Sequence, residues 1–227
     1  MNRNVRVPAV VFFIAMALTA VETRAAFITN GGFDTDVVAG GFAVVTPSSA
    51  FQITGWSVVT SGANTSASVD VVRAPYWQAQ SGQNSIDLFG TGTQQPSFLA
   101  QTFSVGAGQT GNYNVSFWYS VNTDSPQSQG LFADVVQGTS VGGVSVATSP
   151  TTFSYVRGVD GNPSRADMQY RLATFGFAAA AAGDYTLWFV GNQAFGNANQ
   201  GAALDSVSID AAVVPLPGAA WLMLAGL

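Results

Sequence analysis

Tyr113–Val121 reads Y-N-V-S-F-W-Y-S-V. Tyr113, Val115, Phe117, Tyr119 and Val121 fall on one face at a period of two, and Asn114, Ser116, Trp118 and Ser120 fall on the other. Strict alternation of this length marks a β-strand with one side in a core. On a helix the same apolar residues would scatter around the whole circumference. The stretch therefore predicts a long strand, and no body segment longer than ten residues carries a competing 3.6-residue period.

Working outward, a G-A-G-Q-T-G turn precedes this strand, and Ser97–Val105 predicts another before the turn. Thr123–Gly130 is a polar loop, and Leu131–Gln137 with Val141–Ala147 predicts a hairpin around Gly138. Further strands are expected at Phe51–Val59, Ala67–Arg73, Asn84–Phe89, Met168–Ala178, Tyr185–Val190 and Ala202–Ile209, with a short one at Phe27–Ile28. In Tyr185–Val190 the inward residues are Tyr185, Leu187 and Phe189, and Thr186 and Trp188 point outward. Val37–Ser49 and Phe153–Arg165 read as loops. The five alanines of Ala178–Ala182 favour a helix but are too few to hold one. Many short strands with Gly/Asn/Ser turns predict an all-β fold, a jelly-roll β-sandwich spanning residues 26–212.

Composition narrows the chemistry. Hydrophobic residues make up 48% and charged residues 8%, against about 25% charged in ordinary domains. The surface is therefore built of Ser, Thr, Asn, Gln and Gly. Every basic residue is Arg, and behind the first 25 residues four Arg face eleven Asp, a charge of −7. Such a body cannot neutralise phosphates, so nucleic acid is excluded as a partner. Cys and His are both absent. That removes disulfides, thiol nucleophiles, the usual transition-metal ligands and the usual base near neutral pH. A paired-carboxylate hydrolase would have to use Asp alone, and no Asp pair stands out in the sequence. The expectation is a non-enzymatic protein.

The two ends address the chain. Arg3 and Arg6 precede an apolar run over Val7–Ala20, and Thr23-Arg24-Ala25 supplies small residues for cleavage after Ala25. Residues 1–25 are read as a secretory signal peptide, because the run is shorter than the ~20 residues of a membrane span. Val213–Leu227, V-V-P-L-P-G-A-A-W-L-M-L-A-G-L, is a proline-marked break followed by a second apolar run.

Three sets of residues are candidates for binding. Trp118 and Trp188 each interrupt the polar face of an alternating strand. An outward indole offers a plane for the C–H face of a sugar ring, and a shared sheet would make the two a platform. Tyr76 and Trp77, in the loop between two strands, would wall it. The plainer alternative is that a second sheet or a loop covers this face and both Trp are core. Asp34, in the opening turn, and Asp205, in the last strand, could meet if the first and last segments lie side by side, giving oxygen ligands for a structural calcium. Their plainer reading is turn capping and pairing with an Arg or water.

The opening I-T-N-G-G-F-D (Ile28–Asp34), G-W-S-V (Gly55–Val58), S-I-D-L-F-G (Ser85–Gly90) and A-L-D-S-V-S-I-D (Ala203–Asp210) together resemble the galactose-binding-like jelly rolls of carbohydrate-binding modules. In that family a calcium often ties the start of the domain to an acid of the closing strand, which by position implies Asp34 and Asp205. The family commonly has Glu after the opening Phe, where this chain has the shorter Asp34.

The tail motif Val214-Pro215-Leu216-Pro217 resembles the VPLPA form of the PEP-CTERM sorting signal. That resemblance implies an exosortase-type protease as partner, contact with the envelope membrane through the tail, and display at the cell surface or in the extracellular matrix of a Gram-negative bacterium. The tail departs from the pattern in having about ten apolar residues and no following Arg cluster. As a helix these cover about 15 Å, half a bilayer core, so the tail as written is not expected to span. The expected function is association with polysaccharide, with a purely structural matrix or adhesion role as the alternative.

Overall fold

The computed structural model describes residues 27–60, 67–91, 97–149, 151–192 and 200–212. The leader Met1–Ala25 and the tail Val213–Leu227, with Val214, Pro215, Leu216 and Pro217, lie outside the described residues. The strands are β1 (Phe42–Val45), β2 (Ser57–Thr60), β3 (Val69–Arg73), β4 (Asn84–Asp87), β5 (Ser97–Val105), β6 (Gly111–Val121), β7 (Gln129–Gln137), β8 (Val144–Ser145), β9 (Thr152–Tyr155), β10 (Arg171–Ala179), β11 (Gly183–Gly191) and β12 (Ala202–Ala211). One antiparallel sheet runs β1-β3-β4-β12-β6-β10, and the other runs β2-β5-β11-β7-β8, with β9 also on β7. The protein is an all-β two-sheet sandwich.

The strand that opened the sequence reading lies between β12 and β10 in the first sheet. Tyr113, Val115, Phe117, Tyr119 and Val121 all point into the core between the sheets. From the facing sheet Leu99, Phe103, Leu131, Val135, Tyr185, Leu187 and Phe189 meet them. Phe117 and Phe189 touch across the layer edge to face, ring centroids 5.1 Å apart. Burying one such aromatic is worth about 1.5–3 kcal/mol over exposure, so this layer holds the sheets together.

Three local expectations change. Phe27–Ile28 forms no strand: both residues pack against the core, and Thr29 is pinned by the Gln101 side chain, which accepts from its N–H at 2.6 Å and donates to its carbonyl at 2.9 Å. β1 and β9 arise in segments read as loops, because each is four residues long, too short for a period to show. The alanine run continues β10 as far as Ala179.

The closing strand contains a bulge. Ala202 and Leu204 face the core, and the register shifts between Asp205 and Ser208. The extra residue, Ser206, sits at φ 52 and resets the alternation, so Val207 and Ile209 face the core again. Val207 donates to the Gly31 carbonyl at 2.9 Å. A Cβ on Gly31 would collide with the Val207 carbonyl, so Gly is required for this approach. The opening turn and closing strand do lie side by side.

An acid-floored cleft as the candidate functional site

Strand register places a row of side chains on the outer face of the six-stranded β1–β10 sheet. Val44 pairs with Asp70, Asp70 with Asp87, Asp87 with Ala203, and Ala203 with Ser120. Beside this row, Phe42 pairs with Val72 and Val72 with Ser85. Two loop segments cover the middle of the face: the stretch after β3 carrying Tyr76 and Trp77, and the stretch before β10 carrying Met168 and Tyr170. Val72, Trp77, Met168 and Ala203 form a small second core there. The segments are stitched together by Gln78 N–H to the Arg165 carbonyl at 2.8 Å and by Ser120 Oγ–H to the Met168 carbonyl.

Where this cover stops, a cleft opens, with a volume of about 170 Å³. Phe42 and Tyr76 form its apolar wall, packed edge to face at 5.5 Å. Phe42 is 39% exposed. Asp70 and Asp87 form the floor, and Asn122, Asp124, Thr91 and Gln200 complete the lining. The acids are held firmly. Asp70 accepts from Thr91 N–H at 3.0 Å and from its hydroxyl at 2.7 Å. Asp87 accepts from the N–H groups of Phe89 and Gly201, at 2.9 and 2.8 Å, and from Asn122 Nδ2 at 2.6 Å. Burial pushes both carboxyls up, Asp87 well above the ordinary range, against the pull of these donors. At the rim Asp124 pairs with Arg165 at 2.7 Å and accepts from the Tyr76 hydroxyl at 2.9 Å. The Arg165 guanidinium lies 4.3 Å over the Tyr76 ring.

The aromatic candidates are dispersed. β6 and β11 belong to opposite sheets, so Trp118 and Trp188 look out from opposite faces and form no common platform. Alternation says which side of a strand faces in, but not which sheet the strand joins. Both indoles are half-buried. Trp118 lies between Leu172 and Asp205 in the register, and Trp188 packs edge to face on Phe98 at 5.1 Å. Tyr76 stands in the cleft wall. Trp77 touches the cleft yet is 1% exposed, and its Nε1–H is fixed by Ser85 Oγ at 2.6 Å, so it serves mainly as core of the cover.

Asp34 and Asp205 do converge, on the two ends of one turn. Asp34 accepts from the N–H groups of Gln83 and Asn84, at 2.8 and 2.9 Å. Asp205 accepts from Gln80, Ser81 and Ser206 N–H, at 2.8, 3.3 and 2.6 Å. Burial pushes the Asp205 carboxyl up to about 7, opposed by these three donors and assisted by the nearby negative charge of Asp34. Calcium takes six to eight oxygen ligands. Here the groups facing the carboxylates are N–H donors, and among the described residues no three acidic side chains gather where a metal could sit. The pair as arranged clamps the two ends of the Gln80–Asn84 turn.

Asp70 and Asp87 are the site residues that sequence reasoning missed. The available signal was a single acid within an otherwise apolar strand, V-D-V-V and S-I-D-L. An acid so placed must be buried and must find donors.

No protein-family model and no curated protein matches the chain. Solved structures do resemble it. An arabinose-bound GH51 α-L-arabinofuranosidase matches at TM-score 0.51 and 14% identity over 82% of this chain, which spans 26% of that enzyme. A CBM61 module in complex with β-1,4-galactotriose matches at TM-score 0.46 and 13% identity, over 83% of this chain and all of the module. A protein described as a "putative sugar binding protein" from Bacteroides thetaiotaomicron matches at 0.45 and 12%, over 83% of this chain and all of that one. At these identities the likeness is one of fold.

Proposed function

We propose that this protein is a non-enzymatic carbohydrate-binding module, with its ligand in the Phe42–Tyr76 cleft. The observation that carries the reading is the pairing of an exposed aromatic wall with a floor of rigidly held hydrogen-bonding oxygens. That is the combination a sugar ring requires: an apolar plane for its C–H face and fixed partners for its hydroxyls. Asp70 and Asp87 meet in the cleft, as a glycosidase pair would. Their oxygens, however, are committed to backbone and side-chain donors, and the residues are 4% and 2% exposed. They act as fixed acceptors and not as a mobile acid and base. The signal-like leader and the Val214–Pro217 motif support export, recognition by an exosortase-type protease, membrane contact through the tail, and display at the surface or in the matrix.

The test is binding of purified protein to a glycan array and to polysaccharide gels. Phe42→Ala and Tyr76→Ala are expected to weaken binding at least about tenfold. Phe42 sits on an edge strand, so Phe42→Ala is expected to stay folded. If both folded variants bind as the parent does, the cleft is not the site. A protein that binds no glycan is left with the structural matrix role.

A further inference from the structure

Hydrogen-bond polarity in the cleft says which sugars it can take. Among the described residues, the lining side chains that own donors turn them largely onto the protein. The Thr91 hydroxyl donates to Asp70 at 2.7 Å, and the Tyr76 hydroxyl to Asp124 at 2.9 Å. Asn122 Nδ2 donates to Asp87 at 2.6 Å, and Gln200 Nε2 to the Asp124 carbonyl at 3.2 Å. The neighbouring cations are spent in the same way. Arg165 is bonded to Asp124 and stacked on Tyr76, and Arg157 donates to the carbonyls of Pro163 and Asn122, at 3.3 and 3.1 Å. Among the described residues no Arg lines the cavity. What the cleft presents to a ligand is therefore chiefly the remaining acceptor capacity of the Asp70, Asp87 and Asp124 carboxylates, beside an apolar wall.

We propose that the cleft selects a single uncharged sugar ring at a chain end and turns acidic sugars away. This rests on reading the cleft as a sugar site. A neutral ring brings hydroxyl donors, which the Asp oxygens can accept. A uronic acid or a sulfated sugar brings an anion that meets no cation among the described lining residues and faces like charge in a half-enclosed cavity, where Coulomb energies are weakly screened. The lining carries three carboxylates, Asp70, Asp87 and Asp124, against the single Arg165 at the rim. The size argument concerns the chain end. About 170 Å³ lies below the roughly 300–1,000 Å³ of common ligand pockets. The cavity has room for one ring and not for a run of rings.

The experiment uses the purified protein and matched pairs of oligosaccharides, galactose-terminated against galacturonate-terminated, titrated calorimetrically after an array screen of neutral and acidic termini. Neutral termini are expected to bind at least about tenfold tighter than their oxidised partners. Affinity per mole of chain should stay constant from disaccharide to hexasaccharide. Asp124→Asn, at the half-exposed rim, should narrow the neutral-over-acidic ratio severalfold while the protein stays folded. Equal binding of neutral and acidic termini, or per-chain affinity rising with length, overturns this inference and leaves the sugar site standing. Binding that ignores Phe42→Ala and Tyr76→Ala overturns the site itself, and the inference with it.

Discussion

Asp205 makes the protein's stability depend on pH in an unusual direction. Its carboxyl is buried beneath the loop cover and pushed up from the ordinary 3.8 to about 7. Between those values the folded state keeps a proton that the unfolded chain has released. Linkage then requires stability to fall as pH rises through that window. The contribution is intact at and below about pH 4 and lost above about pH 7. A step of roughly three units is worth about 4 kcal/mol, a large share of the 5–15 kcal/mol that holds a typical domain together. Asp70 and Asp87 are raised by burial as well and act in the same direction. The assay is urea unfolding of the parent and Asp205→Asn at about pH 4.5 and about pH 7.5. Asn keeps one acceptor for the turn but turns an N–H₂ toward the remaining donors, so the variant should be weaker at both values. What it cannot do is titrate. The parent should lose about 2–4 kcal/mol more than the variant between the two conditions. Slopes that agree within about 0.5 kcal/mol, or a parent that gains stability on leaving acid, would refute the reasoning and show that the N–H donors outweigh desolvation.

Two further outcomes follow from the same turn. Gly82→Ala should cost at least about 2 kcal/mol by thermal or urea unfolding, since the new Cβ would collide with the Asp34 carboxylate and Gly82 sits at φ 66. Addition of EDTA or of calcium should leave the melting temperature within about 2 °C, because N–H groups already occupy the positions facing Asp34 and Asp205; a calcium-dependent rise would show that the turn reorganises around a cation.

What the sequence disclosed follows from how far each signal reaches. Alternation over Tyr113–Val121 gave strand, inward face and core membership, because every residue of one face shares one environment. It could not say that Trp118 and Trp188 lie on opposite faces, since sheet membership depends on strands distant in the chain. The bulge at Ser206 was hidden for a related reason. A-L-D-S-V-S-I-D carries Leu204 in one phase and Val207 and Ile209 in the other, and only the pairing with β6 shows where the phase slips. β1 left almost no trace, being four residues with only Val45 fully inward, yet it supplies Phe42 to the cleft wall. The cleft itself joins β1, β3, β4 and four loops. Its chemistry was present in the sequence as isolated residues, and the sheet order brought them together.

The acid content takes a different meaning once the partners are known. Eleven body Asp against four Arg looked like a surplus of surface charge. In the fold these acids serve as local joints. Asp36 takes Thr54 N–H and hydroxyl, both at 2.7 Å, tying the opening loop to the segment before β2. Asp134 takes the Ser145 hydroxyl and Asp184 the Ser104 hydroxyl, linking strands across the second sheet. Asp160 caps Val156 N–H at 2.7 Å and also pairs with Arg171. Asp34, Asp70, Asp87 and Asp205 do the same for the turns around the cleft and its cover. A short carboxylate reaches a nearby backbone N–H at little entropic cost, which Glu with its extra rotatable bond does less well. This explains why the body carries Asp and no Glu. It also explains how a chain without Lys or His balances its acids: neutral N–H and O–H donors do most of the work that cations do elsewhere. The same economy lines the cleft mainly with carboxylate oxygen, so the proposed selectivity for hydroxyl donors would follow from how the whole fold is fastened.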